Sequence, residues 1–464
     1  MIDKQQTIKN FVELEGVGLH SGAEVKVVFK PAPEHHGIKF CRTDLPNQPC
    51  VAADARFVTD TARSTTLEQN GAKVQTVEHL LAAVVGLGID NLLIEINAAE
   101  MPILDGSAIG FVTALESAEI LTQDAEREYF VVEEEIRFYD AEKDAEILLL
   151  PASDYRLTVM VDYNSTVLGT QHATLSKIDH FKAEIANCRT FCFLHELEHL
   201  HKNNLIKGGD LNNAILLADR PVTQPELDSL AEILGKQKVT VNKQGVLSNT
   251  DLHHQNEPAR HKLLDVIGDM ALVGVRIKGQ IIASKPGHFT NTAFAKQIQQ
   301  HIKKQKAAKK IPKYDPSIPP VKDTMQVQEW LPHRHPFLMV DKIIELNENR
   351  IVGVKSIAFN EACFVGHFPN NPVYPGVLII EGMAQTGGIL ALSHMDEPSN
   401  YWTYFLKIEE AKFKNKVVPG DTLIFMMELI EPIRRGLVQM RAAAYVGNTL
   451  VAEATLMAQL AKKS

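Results

Sequence analysis

Residues 375-PGVLIIEGMAQTGGILALSHM-395 decide the reading of the C-terminal part of the chain, because wound as a helix they are apolar around most of the circumference. Such a helix has no face to give to water and is buried on nearly all sides. Pro375 suits its first turn, where a missing N–H costs nothing and φ is already set. The runs TLIFMMELIEPI (422–433), LVQMRAAAYVG (437–447) and TLVAEATLMAQLA (449–461) follow and read as strands. The expected arrangement is a buried helix wrapped by an antiparallel sheet.

Working outward, 301-HIKKQKAAKKIPKYDPSIPP-320 is the clearest seam, with six lysines against one aspartate and four prolines in its last nine residues. Charge repulsion and proline stiffness favour an exposed linker. A helix that frays into a tether fits the same residues. The 464 residues predict more than one domain, and 45% apolar residues suffice for real cores. A net charge of −9 argues against a nucleic-acid binder. The N-terminus has no apolar signal segment, and LLAAVVGLGIDNLLIEI reads as helix, turn and strand, so no membrane span is predicted. Five scattered cysteines without a C-x-x-C pair suit reduced thiols in a cytoplasmic protein.

Before the seam, strands and helices alternate. KVQTVEHLLAAVVGLG (73–88) reads as a helix leading into NLLIEI, and ARHKLLDVIGDMALVG (259–274) as a helix leading into IKGQIIAS. Two histidine-bearing helices, each feeding a strand, hint at two related half-domains.

Three fragments in this part carry possible metal chemistry. The first is 195-HELEH-199, literally the H-E-x-x-H zinc-protease pattern, but its surroundings are polar and include His201 and Lys202, as on a solvated helix end. The second is 261-HKLLD-265, which puts His261 and Asp265 on one face of an apolar helix. The third is 76-TVEHLLAA-83, with Glu78 beside His79. Two histidines and a carboxylate make a three-ligand zinc site with a fourth position open, and an adjacent glutamate could serve as base. His288, in KPGHF, could protonate a leaving amine. Taken singly, each fragment fits a packed or surface histidine as well.

Their order and wording add to this. GVGLHSG (16–22), CRTDLP (41–46), TVEHLLAAVVGLGIDN (76–91), DGSA (105–108), CRTF (188–191), HKLLDVIGD (261–269) and SKPGH (284–288) closely resemble the zinc-dependent UDP-3-O-acyl-N-acetylglucosamine deacetylases of lipid A synthesis. The resemblance implies one Zn2+ per chain, held by His79, His261 and Asp265. It implies Glu78 as general base and His288 as general acid supported by Asp269, with Thr190 stabilising the oxyanion. It also implies His20, Tyr163, Phe191, Lys262 and Lys285 as substrate contacts, with Glu196 supporting Lys262. Tyr163 stands where the family usually has phenylalanine, and Cys192 where it has a small residue. The stretch 223–255 is longer than usual and reads first as an idle surface loop, with a lid or a contact to the second module as the alternatives.

In the last part, 366-GHFPNNPVYPGVLIIEGMAQ-385 places His367 in a Pro-fixed loop, Glu381 inside the apolar helix and the free N–H of Gly376 at the helix start. That set fits loss of water from a 3-hydroxyacyl thioester: donors polarise the carbonyl, a histidine takes the α-proton and a carboxylic acid assists the departing hydroxyl. A capping histidine and a core-paired glutamate would fit the residues equally well. LPHRHPFLMVD (331–341), GHFPNNPVYPG (366–376), LIIEGMAQ (378–385) and LKIEEAKFKNKVVPGD (406–421) resemble the 3-hydroxyacyl-[acyl-carrier-protein] dehydratases, which have the hot-dog fold. In that family one site takes its histidine and glutamate from different subunits, which implies a homo-oligomer, a dimer or trimer of dimers.

The expectation is therefore an α+β protein: a two-layer α/β sandwich of half-domains 1–125 and 126–300, a linker 301–322 and a hot-dog domain 323–464. Its expected partners are a UDP-sugar acyl substrate and acyl-carrier protein, with Lys412, Lys414, Lys416 and Arg334 as docking candidates that fit a solvated strand edge as well.

Overall fold

The computed structural model describes residues 3–463 except 164–167, 195–213, 219, 221, 234–240, 242–245 and 247–250. The chain forms two compact units, Met1–Ile302 and Lys303–Ser464.

In the first unit one topology occurs twice. Strands β1 (Val12–Val17), β2 (Glu24–Pro31), β3 (Ile38–Arg42), β4 (Cys50–Ala52) and β5 (Leu92–Ile96) form a sheet in the order β1-β2-β5-β3-β4, with β3 and β5 parallel. Strands β6 (Ile136–Asp140), β7 (Ala145–Leu150), β8 (Tyr155–Asp162), β9 (Thr170–Leu175) and β10 (Arg276–Ser284) follow the same path, β6-β7-β10-β8-β9, with β8 and β10 parallel. Helix α1 (Glu78–Gly86) leads into β5 and α2 (Ile109–Ser117) follows it, just as α3 (Glu257–Met270) and α4 (His288–Lys310) flank β10. Burial alternates along β2, β7 and β10, so one face of each sheet is apolar. Both faces close on α1 and α3 in one core.

The two helices are close because Gly268 has no side chain: a methyl there would lie 2.0 Å from the Glu78 carbonyl oxygen. Neither backbone can yield cheaply. Gly268→Ala is expected to destabilise the first unit by about 1–3 kcal/mol, the usual range for overpacking. It should also weaken metal binding, since Glu78 adjoins His79; thermal unfolding with and without metal measures both. At the far end of α1, Arg127 (2.7 Å) and Arg276 (3.2 Å) share the Asp90 carboxylate. Arg276 also donates to the Val85 and Ile89 carbonyls, so the second repeat caps the helix of the first.

One expectation needs correction. Cys41 and Cys50 are joined in a disulfide, so the cysteines are not all free thiols. The two residues are directly opposed in the antiparallel β3–β4 pair, a register that their spacing of nine does not reveal. The stretch 301–322 begins as helix and extends only in its second half. Residues 301–310 complete α4. Beyond them Tyr314 packs on Val352, Ile424, Met426 and Ala443, and Lys322 bridges to Ile343. An aromatic ring finds an apolar sheet face there, and proline stiffness does not oppose that.

In the second unit, strands β11 (Lys342–Leu346), β12 (Arg350–Ser356), β13 (Tyr401–Phe413), β14 (Thr422–Leu429), β15 (Leu437–Val446) and β16 (Thr449–Lys462) form one antiparallel sheet, ordered β11-β12-β14-β15-β16-β13. It wraps helix α6 (Gly376–Ser393), while the short α5 (Thr324–Trp330) starts at a capping box of Asp323 and Gln326. Among the described residues α6 alone is long and apolar enough to cross a bilayer, and the sheet buries it instead. Edge strand β13 exposes Tyr404, Phe405, Leu406 and Ile408, an apolar row on an open strand.

Candidate active sites

His79, in the first turn of α1, and His261 and Asp265, one turn apart on α3, converge where the two helices cross. Their ligand atoms lie within 4.8 Å of one another. Asp265 Oδ1 is 3.4 Å from His261 Nε2 and 3.8 Å from His79 Nε2, and it is buried with no hydrogen-bond donor among the described residues. An unsatisfied carboxylate oxygen is costly unless a cation answers it. Burial, reinforced by the neighbouring His261, drives the His79 pKa down to about 3, and burial lowers that of His261. Both rings are thus neutral donors. His261 Nδ1 bonds the Cys188 carbonyl at 3.0 Å, which fixes the ring and leaves Nε2 for a metal. Burial opposes charge on Asp265, but the cationic Lys262 and His288 outweigh it and keep the carboxylate ionised. The donor set fits a divalent cation such as zinc.

Facing this cluster are Glu78 and His288, with 3.9 Å between Oε1 and Nε2. Burial raises the Glu78 pKa to about 7, against the pull of His288. Burial opposes charge on His288, but Asp269 and Glu78 more than offset it and raise its pKa to about 9. Asp269, fully buried, takes His288 Nδ1 (3.0 Å) and Asn291 Nδ2 (2.9 Å) on one oxygen. A proton acceptor and a proton donor thus share one wall of the site.

The opposite wall is aromatic. Tyr163, Phe191 and Phe193 meet edge to face at 5.6–6.0 Å, and Phe191 reaches the His261 ring at 6.2 Å. Lys262 lies 5.6 Å over Phe191 and 3.0 Å from Asp265 Oδ2. Thr190 is anchored through its N–H to the Gly106 carbonyl at 2.7 Å.

In the second unit an elongated cavity of about 290 Å³ runs between α6 and the sheet. Gly387, Gly388, Trp402, Met440 and Leu456 line its apolar length, and Glu381 and His333 stand in its wall. Glu381 accepts from Gln385 Nε2 at 2.8 Å, and His333 Nε2 is 3.8 Å away. Gln385 also donates to the Phe337 carbonyl and accepts from Met339 N–H, which locks its orientation. His367 is absent from this lining; its Nδ1 bonds the Val373 carbonyl at 2.7 Å.

Comparison with known proteins agrees with two chemistries on one chain. Residues 5–234 and 229–300 match the family of UDP-3-O-acyl N-acetylglycosamine deacetylases (LpxC), and residues 331–455 match the FabA-like domain. The bifunctional enzyme LpxC/FabZ of Bacteroides thetaiotaomicron is 48% identical over 459 residues, 99% of either chain. That of Chlorobaculum tepidum is 43% identical over 467 residues, the full length of both. The chain belongs to the LpxC/FabZ family. A UDP-3-O-acyl-N-acetylglucosamine deacetylase of Psychrobacter is 38% identical over 298 residues, 64% of this chain and 92% of its own. As an LpxC/FabZ protein the chain is a bifunctional enzyme, with a deacetylase in its first unit and a dehydratase in its second.

Within the LpxC half, the structure brings His79, His261, Asp265, Glu78, His288, Asp269, Lys262, Phe191 and Tyr163 into one neighbourhood. It places Lys285 otherwise: its ammonium pairs with exposed Asp144 at 2.8 Å. His20 sits on the loop after β1, its N–H on the buried Glu100 at 2.9 Å. Glu196 and the HELEH histidines lie outside the described residues, as does much of 223–255, of which helix Gln224–Ile233 is described. Sequence reading missed Thr65, the buried Glu257–Arg189 pair at 3.0 Å and, in the FabZ half, His333 and Gln385. Gln385 carried a signal in its i,i+4 spacing from Glu381, and Arg189 and His333 lie inside the motifs CRTF and LPHRHPFLMVD without a role assigned to them there.

Proposed function

We propose that the first unit hydrolyses the N-acetyl group of UDP-3-O-(3-hydroxyacyl)-N-acetylglucosamine, with Zn2+ held by His79, His261 and Asp265. The second unit dehydrates 3-hydroxyacyl thioesters of acyl-carrier protein to trans-2-enoyl thioesters. The observation that carries the first reading is the unsatisfied Asp265 oxygen between two neutral imidazoles, across from a Glu78–His288 pair. Zinc bound there polarises an amide carbonyl and lowers the pKa of water toward ~7. Glu78 takes the proton of the attacking water, and its elevated pKa lets it hold that proton. His288, cationic at neutral pH, delivers a proton to the departing sugar amine. Thr190 would stabilise the developing oxyanion. Lys262 suits anionic substrate groups, with Tyr163 and Phe191 as an apolar wall for the acyl chain; His20 and, once released from Asp144, Lys285 complete the substrate contacts, and Glu196 supports Lys262.

In the second unit the cavity accepts the acyl chain and ends at Glu381, which assists departure of the β-hydroxyl. The N–H of Gly376, at the start of α6, polarises the thioester carbonyl, and His367 of another copy removes the α-proton. The exposed apolar row on β13 supports such an assembly, because an open apolar edge strand is a pairing surface. Both reactions belong in the cytoplasm, where carrier-protein thioesters are made.

The test of the acid–base assignment is the pH profile of acetate release. A general acid is lost as pH rises through its pKa, so the wild-type rate declines on the alkaline side. Asp269→Asn removes the charge that raises the His288 pKa, and the alkaline limb is expected to move to lower pH with a reduced maximum. An alkaline limb that stays in place would remove His288 from the acid role.

A further inference from the structure

Thr65 touches both halves of the proposed proton-transfer apparatus, although it lies in no fragment that marks the deacetylase by sequence. It immediately precedes strand Thr66–Gln69, and none of its surface reaches solvent. Its backbone N–H donates to Glu78 Oε2 at 3.0 Å. Its hydroxyl is 2.5 Å from Asp269 Oδ1 and 3.4 Å from His288 Nδ1. Its carbonyl accepts from Val77 N–H, which ties the same residue to the turn that opens α1.

The directions of these bonds follow from the groups themselves. An ionised carboxylate only accepts, so the single hydroxyl proton of Thr65 points at Asp269. What the hydroxyl then turns toward His288 Nδ1 is a lone pair. Asp269 Oδ2, at 3.0 Å, is a second acceptor for the same nitrogen. Nδ1 therefore carries a proton in every protonation state of the ring, and the exchangeable position is Nε2, the nitrogen that faces Glu78 at 3.9 Å. On the other side, the N–H of Thr65 occupies one oxygen of Glu78 and leaves Oε1 directed at the reacting space.

We infer that Thr65 is a positioning residue for the deacetylase: its N–H and hydroxyl fix the general base and the acid–carboxylate pair at one spacing and hold the His288 ring with Nε2 toward the substrate. It touches no reacting atom itself. The inference rests on the assignment of Glu78 and His288 as base and acid, and its test separates the two.

The experiment compares Thr65→Val, which keeps the N–H and the shape but removes the hydroxyl, with Thr65→Ser, which restores the hydroxyl. Acetate release is measured in the full chain with its metal, beside Glu78→Gln and His288→Ala. Metal per chain reports that the first unit has folded, and ¹⁵N-histidine spectra report the tautomer. Thr65→Val is expected to lose kcat about ten- to a hundredfold, the cost of a reacting group displaced by a fraction of an ångström. KM and metal content should hold, and the Nδ1–H form of His288 should give way to a mixture of tautomers. Thr65→Ser should recover kcat to within about threefold of wild type. Wild-type kcat in Thr65→Val, with Glu78→Gln and His288→Ala both inactive, would overturn the inference and spare the acid–base assignment. Equal losses of rate and metal in Val and Ser would overturn it as well, by making Thr65 a packing residue. Full activity in Glu78→Gln and His288→Ala would remove the assignment on which it rests.

Discussion

His79→Ala is expected to abolish stoichiometric metal binding and to lower the deacetylase rate on the order of a thousandfold, while the dehydratase rate of the same chain stays at its wild-type value. The size follows from the several kcal/mol of charge stabilisation that a catalytic metal supplies, at about 1.4 kcal/mol per decade of rate. The selectivity follows from architecture. His79 belongs to the first compact unit, and the cavity that holds Glu381 is built wholly from the second. The informative companion is the double change His195→Ala/His199→Ala, which removes the histidines of the protease-like pattern. That variant should keep its metal, because the cluster on α1 and α3 already offers two neutral imidazoles and an unsatisfied carboxylate oxygen. Metal lost from the double variant and kept in His79→Ala would transfer the metal to HELEH and end the present assignment. Metal content and the two rates, measured on one preparation of each variant, decide the matter.

How much of this was legible in the sequence depended on whether an interaction was local. His261 and Asp265 share a helix face at i,i+4, and that spacing is written in the chain. Their meeting with His79, some 180 positions away, follows from the repeat of one β-α-β topology, which sequence showed only as two histidine-bearing helices each preceding a strand. Gly268 is the physical reason that the two helices lie close enough, and a lone glycine inside a helix does not announce its neighbour. Thr65 was invisible for the same reason: a threonine that joins two carboxylates through one N–H and one hydroxyl looks like any other threonine before a strand. The disulfide depended on register, since a spacing of nine bridges only when the hairpin opposes the two residues. Composition described the seam only in part. Lysines and prolines favour exposure on average, yet one tyrosine suffices to pin such a segment to an apolar sheet face. In the second unit the continuous apolar character of α6 made the fold readable, whereas the cavity beside it depends on residues from several strands.

His367→Ala and Glu381→Gln are each expected to reduce dehydratase activity about a hundred- to ten-thousandfold, the range for losing a general acid or base, and to leave acetate release intact. The stronger prediction concerns their mixture. Within one chain Glu381 stands in the wall of the acyl cavity, and His367, with Nδ1 on the Val373 carbonyl, is absent from that wall. The backbone bond fixes the ring and leaves Nε2 as the nitrogen for proton transfer. If a neighbouring copy supplies the histidine, a heterodimer of the two inactive variants contains one site that has lost both groups and one that has kept both. Random re-association of a twofold dimer then restores about a quarter of the wild-type rate per chain. Sites assembled within single chains would restore nothing at any mixing ratio, because every site would lack one group. The exposed apolar edge of β13 gives a second handle on the same question. A lysine in place of Leu406 or Ile408 charges the pairing surface at little cost to the hydrophobic core, to which neither residue belongs. Such a variant should dissociate toward monomers by sedimentation and lose the complementation together with the dehydratase rate, whereas acetate release continues unchanged. Dissociated chains that still dehydrate would show that His367 and Glu381 of one copy suffice.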